Sequence, residues 1–171
     1  MELIYSYVRD RQLFSRTEFE RKHASAVVVS KKLLSAADGE TQVVQLLDDA
    51  LAAAARALRH EAHQYRVLKL AGTVSVGRAA ENKLVLADES VSRLHGELRQ
   101  EDGRIFVGDR ASENGTWIIR ASRKHRVEAD EEVQDGDAVA WGNVRTQIFW
   151  PGSLFDFLTT LLDPRAAPGH E

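Results

Sequence analysis

From Tyr65 to Trp150 the chain is a succession of short apolar or alternating segments, YRVLKL, TVSVG, LVL, LHGELRQ, RIFVGD, TWII, RVEA, AVAW and TQIFW, cut repeatedly by glycine and aspartate. Segments this short, with no helical stretch between them, predict an antiparallel β-sandwich rather than alternating strands and helices. Glu101-Asp102-Gly103 and Gln134-Asp135-Gly136-Asp137 read as hairpin turns, because aspartate and glycine supply the backbone geometry such turns need. The expected fold class is all-β, with the core sandwich over 63–150.

The flanks have a different texture. Within an N-terminal extension, 1–62, the β-branched run SAVVVSKKLL suits a strand at about 26–34. Asp48-Asp49 precedes LAAAARALRHEA, whose alanine, leucine and arginine favour a helix over about 43–62, the aspartates sitting at its positive end. After Trp150, Pro151-Gly152 interrupts the last strand, and Ser153 can cap a short helix ending near Leu162. Leu154, Phe155, Phe157, Leu158, Leu161 and Leu162 nearly cover that helix, so it must pack on the N-terminal helix or across a homodimer interface. The tail, PRAAPGHE, reads as disordered.

Composition narrows the function. There is no cysteine, which excludes thiolate chemistry and cysteine-based zinc sites, and the net charge of -3 gives no general reason to expect a polyanionic partner. The basic stretch Arg120, Arg123, Lys124, His125 and Arg126 lacks the repeated aromatics of a stacking platform and reads as a solvated hairpin, so nucleic acid is not the expected ligand. His60 and His63, three apart on the expected helix, show no compelling ligand constellation, so neither a metal nor a cofactor is expected. MELIYSYVRDR has no basic start followed by an apolar run, and no segment is long enough to cross a bilayer; the expectation is a cytoplasmic protein with no membrane partner.

Three polar loops interrupt the strands: Gly77-Arg78, Ser92-Arg93-Leu94-His95, and Ser112-Glu113-Asn114-Gly115-Thr116. Arginine presents a planar fork of donors suited to phosphate oxygens, and serine adds a short hydroxyl donor. No nucleophile, base and oxyanion arrangement accompanies them. The set suits binding rather than turnover, and the chain is not expected to be an enzyme.

The order GR, then SRxH, then SxNGT, then a DGD turn leading into a strand and glycine resembles the forkhead-associated (FHA) family of phosphothreonine-binding domains, over about Tyr65 to Trp150. That resemblance implies a first strand from the 26–34 region, with the helix as an insertion, or from near Val43. It implies that Arg78 contacts the phosphate, that the Ser92 hydroxyl bonds a phosphate oxygen, and that Arg93 reaches either the phosphate or the peptide backbone. Asn114 would hydrogen-bond the ligand backbone just after the phosphothreonine, although Asn-Gly is also a favoured turn pair. Gly77, His95, Gly115 and Thr116 would shape and brace the loops, with Ser112 and Glu113 as accessory positions. Glu113 departs from the serine or threonine often found there, and a carboxylate aimed at the phosphate would oppose binding. Val91, Leu94 and Asn82 are candidates to surround the threonine methyl group. The implied function is a phosphothreonine-dependent signalling or assembly adaptor, and the rival is a phospho-independent scaffold. A further idea is that Thr17, in FSRTEFERK, is phosphorylated and captured by the domain of the same or another copy.

Overall fold

The computed structural model describes residues 2–31 and 65–162. The helix expected over 43–62 and the tail after 162 lie outside them.

Twelve strands form two sheets among these residues. One runs in the order β1 (Glu2–Leu3), β3 (Tyr65–Lys69), β2 (Val27–Lys31), β12 (Val144–Phe149), β11 (Ala138–Trp141), β8 (Thr116–Arg120), β9 (Arg123–Arg126). The other runs β10 (Glu131–Val133), β7 (Arg104–Asp109), β6 (Gly96–Glu101), β4 (Thr73–Gly77), β5 (Leu84–Val85). They pack face to face as a sandwich, with Val28, Ile118, Val139 and Ile148 of the first sheet meeting Val74, Val76, Leu98, Ile105 and Val107 of the second. Every pairing is antiparallel except β4 with β5, which run parallel over Val76↔Leu84 and Gly77↔Val85. The antiparallel sandwich expected from the sequence is thus present, with one short parallel pair at the edge of the second sheet. The chain leaves β4 at Gly77, turns through the first polar loop and returns to the sheet edge in the same direction, for two residues only.

The unbroken apolar run at β2 now has a physical reason. Val28 faces the sandwich core, whereas Val27 and Val29 face a second cluster with Ile4, Tyr7, Phe19, Val67, Phe149, Leu154 and Leu158. A strand covered on both faces needs no polar alternation. The cover is a layer of three helices, α1 (Tyr5–Leu13), α2 (Arg16–Lys22) and α3 (Pro151–Leu162). Helix α2 starts with a reciprocal capping box, in which the Glu18 carboxylate accepts from the Ser15 N–H at 2.9 Å while Ser15 Oγ accepts from the Glu18 N–H at 3.4 Å.

Helix α3 begins at Pro151, not after Ser153. Proline has no N–H to lose and its fixed φ suits the first helical position. Ser153 Oγ instead donates to Asp135 Oδ1 at 2.5 Å. Leu154 and Leu158 are fully covered within the chain, and Arg16 grips Asp156 through two nitrogens at 2.7 and 3.1 Å. The apolar surface of α3 thus meets α1, α2 and the outer sheet face. Thr17 lies inside α2, with its side chain exposed.

Candidate functional site

The three polar loops gather at one end of the sandwich because backbone hydrogen bonds tie them to one another. The Arg78 N–H donates to the Ser92 carbonyl at 3.0 Å, and the Ala79 N–H to the Arg93 carbonyl at 3.2 Å. Asn82 Nδ2 donates to that same Arg93 carbonyl at 2.6 Å and to the Ala79 carbonyl at 3.0 Å. From the other side the Glu113 N–H donates to Ser92 Oγ at 3.1 Å, and Asn114 Nδ2 donates to the Ser90 carbonyl at 2.9 Å.

These bonds dictate what remains available. Ser92 Oγ accepts from Glu113, so the hydroxyl proton is free to be donated outward. Arg78 and Arg93 are exposed and neither guanidinium has an acidic partner among the described residues. Glu113 is held at this corner by its own N–H, and its exposed side chain makes no hydrogen bond or ion pair with the described residues. Asn114 is anchored by one amide N–H, which leaves its carbonyl oxygen and second N–H for a ligand. Leu94 stands out at 51 % exposure, whereas Val91 is sealed in the sandwich core and cannot line an open pocket.

Behind this surface stands His95, fully buried. Its Nδ1 accepts from the Ser92 N–H at 3.0 Å, so the ring proton sits on Nε2 and is donated to the Gly115 carbonyl at 3.2 Å. One imidazole therefore links the second loop to the third. The ring bonds the amide of Ser92 and not its hydroxyl, so it does not activate that serine as a nucleophile. Burial pushes the His95 imidazole below its ordinary value near 6.5, against the opposing pull of the Gly115 carbonyl and the Asp109 carboxylate. The unfolded chain takes up the proton first, so this contribution to stability is complete above about 6.5 and is lost as pH falls from there towards the folded value. Long-range 1H–15N spectra followed as the pH is lowered should show His95 taking up its second proton at a lower pH than a free imidazole, with its single proton on Nε2 until then. Protonation at or above the pH of the free imidazole would contradict the geometry.

Asp109, at the end of β7, organises the third loop. Its carboxylate accepts from Ser112 Oγ at 2.6 Å, from the Ser112 N–H at 3.0 Å and from Thr116 Oγ1 at 2.6 Å. Burial alone would raise its pKa, but these bonds, with His95, hold the carboxyl below its usual range. Ser112 and Thr116 are thereby turned inward, and Gly115 takes the left-handed backbone between them, at φ +75°. Gly77 has a different constraint: a Cβ there would stand 2.2 Å from the Arg93 carbonyl oxygen and 2.7 Å from Asn82 Nδ2. Asp137, in the DGD turn, receives the Gln134 N–H at 2.8 Å and binds Arg120 through Nε at 3.0 Å, which ties that turn to β8. Arg120 thus leaves the basic stretch, whereas Arg123, Lys124, His125 and Arg126 lie exposed on β9. No group of three or more His, Asp or Glu that could hold a metal occurs among the described residues.

Residues 74–142 match the family model of the FHA domain. The chain is 42% identical over 65 residues to the oxoglutarate dehydrogenase inhibitor of Corynebacterium diphtheriae, a match covering 37% of this chain and 46% of that protein. It is also 42% identical over 65 residues to the glycogen accumulation regulator GarA of Mycolicibacterium smegmatis, covering 37% of this chain and 41% of the relative. The chain thus spans about half the length of the curated relatives it matches. Among solved structures, the FHA domain of the CT664 protein from Chlamydia trachomatis aligns with a TM-score of 0.48 and 19% identity, over 73% of this chain and 97% of that one. The GR, SRxH and SxNGT loops all fall within residues 74–142, the segment of this chain that matches the FHA domain.

Proposed function

We propose that this chain is a phosphothreonine-dependent interaction module that holds a phosphorylated segment of a partner protein at the loop end of its sandwich. The observation that carries the reading is the junction of the first two loops. There the Arg78 N–H to Ser92 carbonyl bond joins the backbones of two residues, one carrying an exposed guanidinium with no acidic partner among the described residues and the other a hydroxyl whose proton is free. A phosphate dianion is the ligand that this pair satisfies, since the fork supplies two donors and the serine a third. Arg93 adds positive charge at the mouth, and Asn114 offers one donor and one acceptor to an extended backbone alongside. The site binds without chemistry, because its histidine is committed to holding two loops together.

The exposed carboxylate of Glu113 is free to meet a basic side chain of the ligand instead of the phosphate. The scaffold or homodimer alternative drew on Glu113 and on the apolar C-terminal segment; of that segment, Leu154 and Leu158 are buried against α1, α2 and the sheet, while Phe155 and Phe157 are partly buried. Among the described residues no helix is long and apolar enough to cross a membrane.

The test is a titration of the full chain with matched phosphothreonine, phosphoserine and unphosphorylated peptides from a degenerate library. Phosphothreonine peptides should bind, and Arg78→Ala should weaken them on the order of 10- to 100-fold, the worth of one charge-assisted hydrogen bond at ~1.5–3 kcal/mol. Equal binding of all three peptides, or an Arg78→Ala protein with unchanged affinity, would refute the assignment.

A further inference from the structure

Strand β9, Arg123–Arg126, is exposed along its whole length and forms the outer edge of the seven-stranded sheet. Charged side chains on an edge strand discourage pairing with other chains, and that accounts for cations here in general. It does not account for where Arg126 goes. The register pairs Arg126 with Trp117, the residue after Thr116, so β9 ends beside the third loop. The Arg126 guanidinium lies 3.1–3.4 Å from the point where a Cβ on Gly115 would stand. It therefore occupies the space left open by that glycine, one residue from Asn114. Its Cζ is 6.0 Å from the centre of the Trp117 ring, and Lys124 Nζ lies 4.4 Å from the same ring.

Several arginines elsewhere on the two sheets are neutralised by the fold. Arg99 meets Asp130 and Glu101, Arg104 meets Glu132, Arg110 meets Glu97, and Arg120 meets Asp137. On β9 the only ion pair among the described residues is His125 with Glu131. Arg126 and Lys124 have no acidic partner there; both lie over the Trp117 ring, and Arg126 also sits against Gly115. Two unpaired cations on one aromatic platform, adjoining the corner that offers hydrogen bonds to a ligand backbone, form a continuation of the phosphate site.

We propose that Arg126, with Lys124 beside it, selects phosphothreonine segments that carry acidic residues on the side leaving the pocket over Asn114 and Gly115. This rests on the phosphothreonine reading above. Arg126 makes a specificity contact distinct from the phosphate clamp: the clamp requires the phosphate, and β9 chooses among phosphorylated sequences by their flanks.

The experiment is fluorescence anisotropy with the full chain and a series of phosphothreonine peptides, with neutral flanks, with two aspartates on one side or the other, or with two lysines in the same places. Peptides acidic on one side should bind about two- to fivefold more tightly per acidic residue engaged than neutral ones. Arg126→Ala should erase that preference while changing the neutral phosphopeptide by less than twofold. Arg126→Glu should reverse it, favouring the lysine-flanked peptide. Unchanged urea midpoints for both variants would show that the exposed substitutions leave the fold intact. An acidic preference that survives in Arg126→Ala, or no preference in the parent protein, overturns the role of Arg126 and leaves the phosphate site standing. Identical binding of phosphorylated and unphosphorylated peptides overturns both. Steeply salt-dependent, Arg126-dependent binding of a single-stranded oligonucleotide, with no response to peptide flanks, would assign the platform to nucleic acid and overturn the proposal.

Discussion

Gly77→Ala should unseat the phosphate site and destabilise the whole sandwich. The added methyl would stand 2.2 Å from the Arg93 carbonyl oxygen, a backbone atom that cannot swing aside as a flexible side chain would. Relief requires the 92–95 loop to move outward, which stretches the Arg78-to-Ser92 and Ala79-to-Arg93 bonds and the two bonds made by Asn82. Overpacking of this kind costs at or beyond the upper end of ~1–3 kcal/mol. Because the displaced loop carries Ser92, phosphopeptide affinity should fall further than in Arg78→Ala, which removes one partner from an intact pocket. Urea denaturation and an anisotropy titration read the two effects separately. A variant with the parent's urea midpoint and affinity would show that the loops are not packed as described.

The second large effect is expected at Trp141. Its side chain is fully buried, its Nε1 donates to Thr146 Oγ1 at 2.9 Å, and its ring meets His95 edge-on, centroids 6.0 Å apart. Trp141→Ala should cost about 3–5 kcal/mol by the loss of a large core side chain. Thr146 keeps a second contact, to the Val139 carbonyl at 3.3 Å, so the orphaned hydroxyl adds little. His95 loses the wall that holds its ring upright between the loops. Phosphopeptide binding should therefore weaken even under conditions where the variant is still folded. Trp141→Phe, which keeps an aromatic wall, should retain most of the affinity while losing part of the stability. Equal affinities in Trp141→Ala and the parent, measured well below the unfolding midpoint, would show that the histidine brace does not depend on this packing.

The strands were the readable part of the chain. Segments such as TVSVG and TWII alternate because one face meets the core, and the turns between them need glycine and aspartate. The loop residues were readable through their order along the chain, and their gathering at one end follows from strands of similar length. What could not be read has a common cause. The Gly115–Arg126 approach depends on the register of β8 against β9, and the three bonds to Asp109 depend on how its loop closes; neither leaves a periodic mark. The helices at 5–22 were missed for another reason. Tyr7 and Phe19 are widely spaced anchors with no regular apolar stripe, although Ser15 and Glu18, three apart, carried a capping-box signal that went unused. Val27 to Val29 read as a strand, but their burial on both faces required knowing that something covered the outer one.

That cover has a consequence for how the molecule is made. Arg16 and Asp156, 140 residues apart, hold opposite ends of the described chain together. Strand β2 becomes interior only when β12 arrives between it and β11. While a ribosome extends the chain, Ile4, Tyr7, Phe19 and the outer valines of β2 have no lasting shelter until Leu154 and Leu158 emerge. Pairings of such high contact order close late. Residues 4–22 are thus secured only after residues 154–158 have been made, and a chaperone that shields them in the interval should raise the yield of native protein.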